Sequence, residues 1–220
     1  HSLKDLPTKL PEGLIIGAVL KRDDPNDLIM TREKVKLKDL KKNAVVGTSS
    51  IRRAVQLKKL RPDIELKEIR GNIETRINKL KNGKFDAIIL AYAGLKRLKI
   101  KDHYEKIDIK EMIPSPGQGV IAIVIRKHDN LLSLLKRLND QKTSIESKCE
   151  RNFLSALDGS CKTPIGALAR LELKTKSKIL FHYMAASLDG KKFIKDKTYF
   201  DTDNCCNMSF NLGKKIKKML

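Results

Sequence analysis

Apolar residues along this chain cluster in two ways. Short apolar runs bounded by Gly, Pro or Asn predict strands at 14–20, 44–47, 64–69, 85–91 and 120–126. Between them, apolar positions three and four apart predict helices at 51–60, 73–81 and 93–98. Thr48-Ser49-Ser50 stands where the first of these helices needs a cap, and Asn82-Gly83 ends the second. The β-α-β-α-β order predicts a parallel sheet with right-handed crossovers. Residues 21–26 are polar, include Pro25 and interrupt the first strand. The run 113–119, Ile-Pro-Ser-Pro-Gly-Gln-Gly, closes the alternation. The apolar run after it has no local partner and is expected to return to the sheet begun at 14–20.

A helix is expected at 130–138, and Asn139-Asp140-Gln141 reads as a boundary. Residues 143–157 predict another helix. Thr143 and Glu146 have capping-box spacing, and Ile145, Cys149, Phe153 and Leu157 share one face. Strand-like runs follow at 165–173, 179–187 and 192–200. The last two are joined by Leu188-Asp189-Gly190, a hairpin signal. They predict a small three-stranded antiparallel sheet, and 214–220 predicts a short basic helix. The fold class expected is α/β with a small α+β C-terminal domain. The expected domains are 1–24 with 118–139, then 25–117, then 140–220.

Charge refines this picture. The 220 residues hold 47 Lys and Arg against 26 Asp and Glu, a formal net charge of +21. Lysines supply most of the excess, and a Lys-rich surface is ordinarily a solvated face. The arginines are placed differently. Arg52, Arg53, Arg70, Arg76 and Arg97 fall at or just after predicted strand-to-helix junctions. In an open parallel sheet, ligands bind beyond the carboxyl ends of the strands. Thr48, Ser49 and Ser50 add hydroxyls and free N–H groups at the first junction, and Gly71 sits in the second. The pattern points to an anion. No G-x-x-x-x-G-K loop is present, so a nucleotide is not favoured. No Trp and few other aromatics argue against nucleic acid. No apolar run is long enough for a membrane helix.

The four cysteines form no C-x-x-C pair, and no metal is expected. Cys149 has the phase of a core residue. Cys205 and Cys206, among Asp and Asn, predict a surface turn. Cys161, in Asp158-Gly159-Ser160-Cys161-Lys162-Thr163-Pro164, lies in a predicted loop and can carry a covalent group. Asp5, in His1-Ser2-Leu3-Lys4-Asp5-Leu6-Pro7, is by itself a loop acid.

Together these segments resemble the porphobilinogen deaminase (hydroxymethylbilane synthase) family. The matching residues are His1-Ser2-Leu3-Lys4-Asp5-Leu6-Pro7, Val46-Gly47-Thr48-Ser49-Ser50-Ile51-Arg52-Arg53, Arg70-Gly71-Asn72 with Thr75-Arg76, Ala93-Gly94-Leu95-Lys96-Arg97-Leu98, Gly117-Gln118-Gly119 and Gly159-Ser160-Cys161 with Pro164-Ile165-Gly166. The resemblance implies two α/β domains like type II periplasmic binding proteins, the first incomplete here, and a third domain bearing the cysteine. It implies a dipyrromethane cofactor held by a thioether at Cys161, onto which four porphobilinogen units are joined with loss of ammonia. Hydrolysis then releases hydroxymethylbilane for tetrapyrrole and heme biosynthesis. It assigns catalysis to Asp5. It assigns cofactor and substrate carboxylates to Ser2, Lys4, Thr48, Ser49, Ser50, Arg52, Arg53, Arg70, Arg76 and Arg97. Gly71 and Gln118 are expected to shape the cleft and hinge. A soluble cytoplasmic monomer is expected, or a plastid-type organelle if a transit peptide precedes His1. Family members carry a segment before the first motif, so a fragment is expected. The competing expectation is a non-catalytic anion-binding module, which needs the arginines but neither Cys161 nor Asp5.

Overall fold

The computed structural model describes residues 1–159, 163–172 and 177–220. The chain divides into two compact units, His1–Asp23 with Ile113–Leu220, and Asp24–Met112.

The second unit is built on a five-stranded sheet. Its strands are β2 (Asp27–Thr31), β3 (Val45–Gly47), β4 (Glu65–Lys67), β5 (Ala87–Ala91) and β6 (Glu105–Lys106), in the order β4-β3-β5-β2-β6. As expected, β3 runs parallel to β4 and β5. The sheet is nevertheless mixed, because β2 lies antiparallel to both β5 and β6. The residues of β2 and most of β5 are buried, as strands covered on both faces require.

Alternation divides these residues between two cores. Ile29, Ala87 and Ile89 pack with Leu57 of helix α1 (Ile51–Leu60). Leu28, Met30, Ile88 and Leu90 pack with Ile77 and Leu80 of α2 (Ile73–Lys81) and Leu95 of α3 (Tyr92–Arg97). Asp27 shares the phase of Ile29 and therefore points to the α1 side.

In the first unit, β1 (Leu14–Val19) pairs antiparallel with β7 (Ala122–Arg126), the return expected from the sequence. A second sheet orders β8 (Ile165–Leu171), β9 (Lys178–Ala186) and β10 (Phe193–Asp201) as β10-β9-β8, antiparallel throughout. The end of the predicted 165–173 strand lies outside the described residues. Helix α5 (Gln141–Ala156) lays Cys149 and Phe153 on this sheet, where Phe153 meets Phe181 edge-on at 5.4 Å.

Three expectations are corrected. The predicted 130–138 helix is reduced to α4 (Leu132–Leu135). Helix α5 starts at Gln141 rather than Thr143. Asp140 caps it, its carboxylate accepting from the Thr143 N–H at 2.8 Å, and the Thr143 hydroxyl instead accepts from the backbone N–H of Arg22. Cys205 and Cys206 form no surface turn: they open α6 (Cys205–Lys217), far longer than the predicted 214–220 helix. Cys205, Met208, Leu212 and Ile216 recur at helical spacing against the sheet core, which compensates the polar run before them.

Candidate anion-binding and acid–base residues

In the second unit, Thr48 follows β3 directly. Its hydroxyl accepts from the Ser50 N–H at 3.2 Å, and Ser50 caps α1 by accepting from the Arg53 N–H at 3.5 Å. Ser49 bonds the Ile69 carbonyl. The residue order after β3 thus fixes α1 so that its first turn turns Arg52 and Arg53 inward. Both guanidiniums are buried.

Asp27, which the sequence reading did not single out, meets them both. Arg53 donates from Nε and Nη2 to one Asp27 oxygen at 3.1 and 2.7 Å, and from Nη1 to the Ile89 carbonyl at 3.1 Å. Arg52 donates from Nη2 to the other oxygen at 2.8 Å. Burial pulls the Arg52 guanidinium below its ordinary value, Asp27 opposes that, and Arg53 adds to it. One carboxylate for two guanidiniums leaves the pair cationic.

Arg76 belongs to the same field. Burial lowers its guanidinium first, and the charge of Arg53 lowers it further. Its Nε donates to the Gly71 carbonyl at 2.7 Å. Gly71 has φ of +118°, a backbone region that L side chains rarely adopt. Asn72 beside it caps α2 by accepting from the Thr75 N–H at 2.8 Å.

Two predicted arginines lie differently. Arg70 is exposed and pairs with Glu68 at 2.8 Å, which raises its guanidinium. Arg97 ends α3 rather than opening it, and is exposed.

In the first unit, Leu3–Asp5 forms a 3-10 turn. Ser2 bridges to Ile121, the Leu3 N–H donates to the Val120 carbonyl at 2.9 Å, and Leu3 is buried. These anchors leave Asp5 exposed at the end of the turn. Lys4 Nζ lies 3.5 Å from Gln118 Oε1, and Gln118 is buried. Arg151 of α5 donates to the carbonyls of Leu6, Pro7 and Thr8, the residues that follow Asp5.

The turn at 117–119 is fixed from behind. Glu150 accepts from the Gly117 N–H at 2.7 Å, the Ala169 N–H at 2.9 Å and Arg22 Nη2 at 2.8 Å. Arg22 Nη1 donates to the Gln118 carbonyl at 3.3 Å, and its Nε lies 3.6 Å from Glu146. Sequence alone had no signal for this buried Arg22–Glu146–Glu150 group beyond two glutamates one helical turn apart.

Cys161 lies outside the described residues. Of the other thiols, Cys205, hydrogen-bonded with Cys149, is pushed up to about 11, and Cys206 is pushed up by its bond with Cys205. Both shifts favour the protonated thiol over the nucleophilic thiolate.

Comparison with known proteins puts a family to these residues. The model for "Porphobilinogen deaminase, dipyromethane cofactor binding domain" matches residues 1–133, and that for the C-terminal domain of the same family matches 144–220. A porphobilinogen deaminase from Nitratiruptor sp. is 46% identical over the whole chain, which spans 69% of that relative's length. One from Campylobacter concisus is 41% identical over 98% of the chain and 70% of its own length. Distant likeness extends to solved solute-binding structures. A substrate-binding domain of an amino acid ABC transporter from Streptococcus pneumoniae has a TM-score of 0.38 at 18% identity, over 55% of each chain. A periplasmic binding protein of Salmonella typhimurium has 0.34 at 19%, over 57% of this chain and 59% of its own. With both family domains matched along nearly its whole length, the chain belongs to the porphobilinogen deaminase family.

Proposed function

We propose that this chain is a hydroxymethylbilane synthase that joins four porphobilinogen molecules head to tail, with loss of ammonia, and releases a linear tetrapyrrole by hydrolysis. The observation that carries the reading is the Arg52–Arg53 pair, buried at the start of α1 with one carboxylate between two guanidiniums. Each pyrrole of the substrate bears two carboxylates, and the growing chain is a dense polyanion. Planar, permanently charged guanidiniums suit carboxylates, whereas lysine offers only a point charge.

The residues fit a dipyrromethane cofactor by the same chemistry. Arg52, Arg53 and Arg76 supply cationic donors, and Thr48, Ser49 and Ser50 stand beside them at the N-terminus of α1, where the Thr48 and Ser50 hydroxyls accept from backbone N–H groups and keep their own O–H to donate. When bound through Cys161, the cofactor supplies the pyrrole carbon to which the first substrate is joined. Arg70, Arg97, Ser2 and Lys4 are assigned to further carboxylates, and Gly71 and Gln118 to the shape of the two binding surfaces. Asp5 is assigned the acid–base work. Its carboxylate stabilises the cation left when ammonia departs from porphobilinogen and accepts the proton released as the new bond forms. The arginine pair in turn excludes water from the carboxylates it holds and fixes their orientation.

Asp5→Asn in the full-length protein tests this. It keeps the fold and the grip on anions but is expected to lower the rate of porphobilinogen consumption by ~10²-fold or more, the range typical of a lost acid–base group. Unchanged turnover would remove Asp5 from its role, and a wild-type protein that holds porphobilinogen without consuming it would favour a module that only binds anions.

A further inference from the structure

The Arg52–Arg53 pair is held by a residue that belongs to neither motif nor helix. Asp27 opens β2, opposite Ala91 at the carboxyl end of β5, and is fully buried. Its two oxygens are divided. One takes Nε and Nη2 of Arg53, the other takes Nη2 of Arg52. The Ile89 carbonyl, two residues along β5 and on the same face, takes Nη1 of Arg53. Two adjacent like charges on the first turn of a helix repel each other and, unrestrained, would swing apart toward water. A single carboxylate set between them at the strand end fixes both planes, and Arg53, with one bond each from Nη1 and Nη2, keeps a second N–H on both for an external anion.

We propose that Asp27 is the positioning residue of the anion site: by bridging Arg52 and Arg53 from β2 it holds the two guanidiniums as one preorganised cationic site for a pyrrole carboxylate. The inference rests on the reading of these arginines as the holders of cofactor and substrate carboxylates. It adds that the site depends on where the Asp27 charge sits, and not merely on its presence. Preorganised donors bind more strongly than donors that must first be ordered.

Two variants of the full-length protein separate position from charge. Asp27→Asn keeps the shape and removes the charge; Asp27→Glu keeps the charge and moves it outward by one methylene. Cofactor loading is read by intact mass, and folding by near-ultraviolet circular dichroism. Exchange of the arginine Nε–H signals is read by ¹⁵N NMR. Both variants are expected to carry at least tenfold less adduct than wild type. The Arg53 Nε–H signal, slow to exchange in wild type, should exchange at least tenfold faster in both. Wild-type loading and slow exchange in Asp27→Glu would overturn the proposal, leaving Asp27 as charge balance only. If Asp27→Asn does not fold, Asp27→Glu alone decides by the same two readings. A wild-type protein without adduct would defeat the functional reading instead, and the arginine exchange rates would still decide whether Asp27 orders the pair.

Discussion

Arg22 shows how much a single residue can hold. It is buried with Glu146 and Glu150, and through Glu150 it ties α5 to the turn at 117–119 and to β8. Removing one partner of a buried ionic group leaves uncompensated charge and costs about 3–5 kcal/mol. Arg22→Met is therefore expected to lower the free energy of urea unfolding by that amount; a loss below ~1 kcal/mol would mean that the group behaves as an exposed pair. Burial raises Glu146 above its ordinary value. A carboxyl raised by folding keeps its proton longer in the native state, so its contribution is largest at low pH. That contribution is lost as pH climbs from the ordinary glutamate range through the raised folded value. Glu146→Gln should flatten the fall in stability across that window, and an unaltered pH profile would contradict it. At this scale the sequence was half legible. Arg52 and Arg53 stand out because they follow a capping Ser on a predicted helix. Asp27 and Arg22 do not, because their partners lie 25 and 128 residues away and their own surroundings read as a polar breaker.

Among elements, helix ends carry the legible chemistry. Ser50 and Asn72 cap α1 and α2 where the sequence expected a cap and a turn. Asp140 caps α5 one turn ahead of expectation, because Thr143 is diverted to the backbone of Arg22. The bond to the Thr143 N–H holds the Asp140 carboxyl below its ordinary value. A depressed carboxyl contributes above its unfolded value and loses that contribution as pH falls through the folded one. Asp140→Ala is expected to destabilise by about 0.5–2 kcal/mol at neutral pH. The gap from wild type should close only under strongly acidic conditions; a gap independent of pH would exclude the charged cap.

Gly71 makes a second test at an element boundary. At φ +118°, an added Cβ would also lie 2.8 Å from Thr75 Cγ2. Gly71→Ala should lower stability by about 1–3 kcal/mol and disturb the carbonyl that holds Arg76. Thermal unfolding with wild-type stability would show that the turn relaxes freely. Strand β2 escaped the sequence reading because its five residues begin with a charged Asp and show no alternation. Helix α6 escaped because its apolar face is spaced through Asn and Lys.

At the scale of the whole molecule, the two units contribute different chemistry. Asp24–Met112 holds the buried guanidiniums of Arg52 and Arg53 after β3, and the other unit holds the exposed Asp5 turn and the buried Arg22–Glu146–Glu150 group. Among the described residues, no helix is long and apolar enough to cross a membrane. The net charge of +21 belongs mostly to lysines, and its expected effect is to draw an anionic substrate from solution with a rate that falls as salt rises.

Covalent attachment of the cofactor at Cys161 is read out by intact-protein mass spectrometry of the full-length enzyme beside Cys161→Ser. A mass excess of two linked pyrroles is expected on wild type, absent from Cys161→Ser together with all tetrapyrrole formation. Active wild-type protein at its unmodified mass, or full product formation by the serine variant, would rule out a cofactor tethered at Cys161.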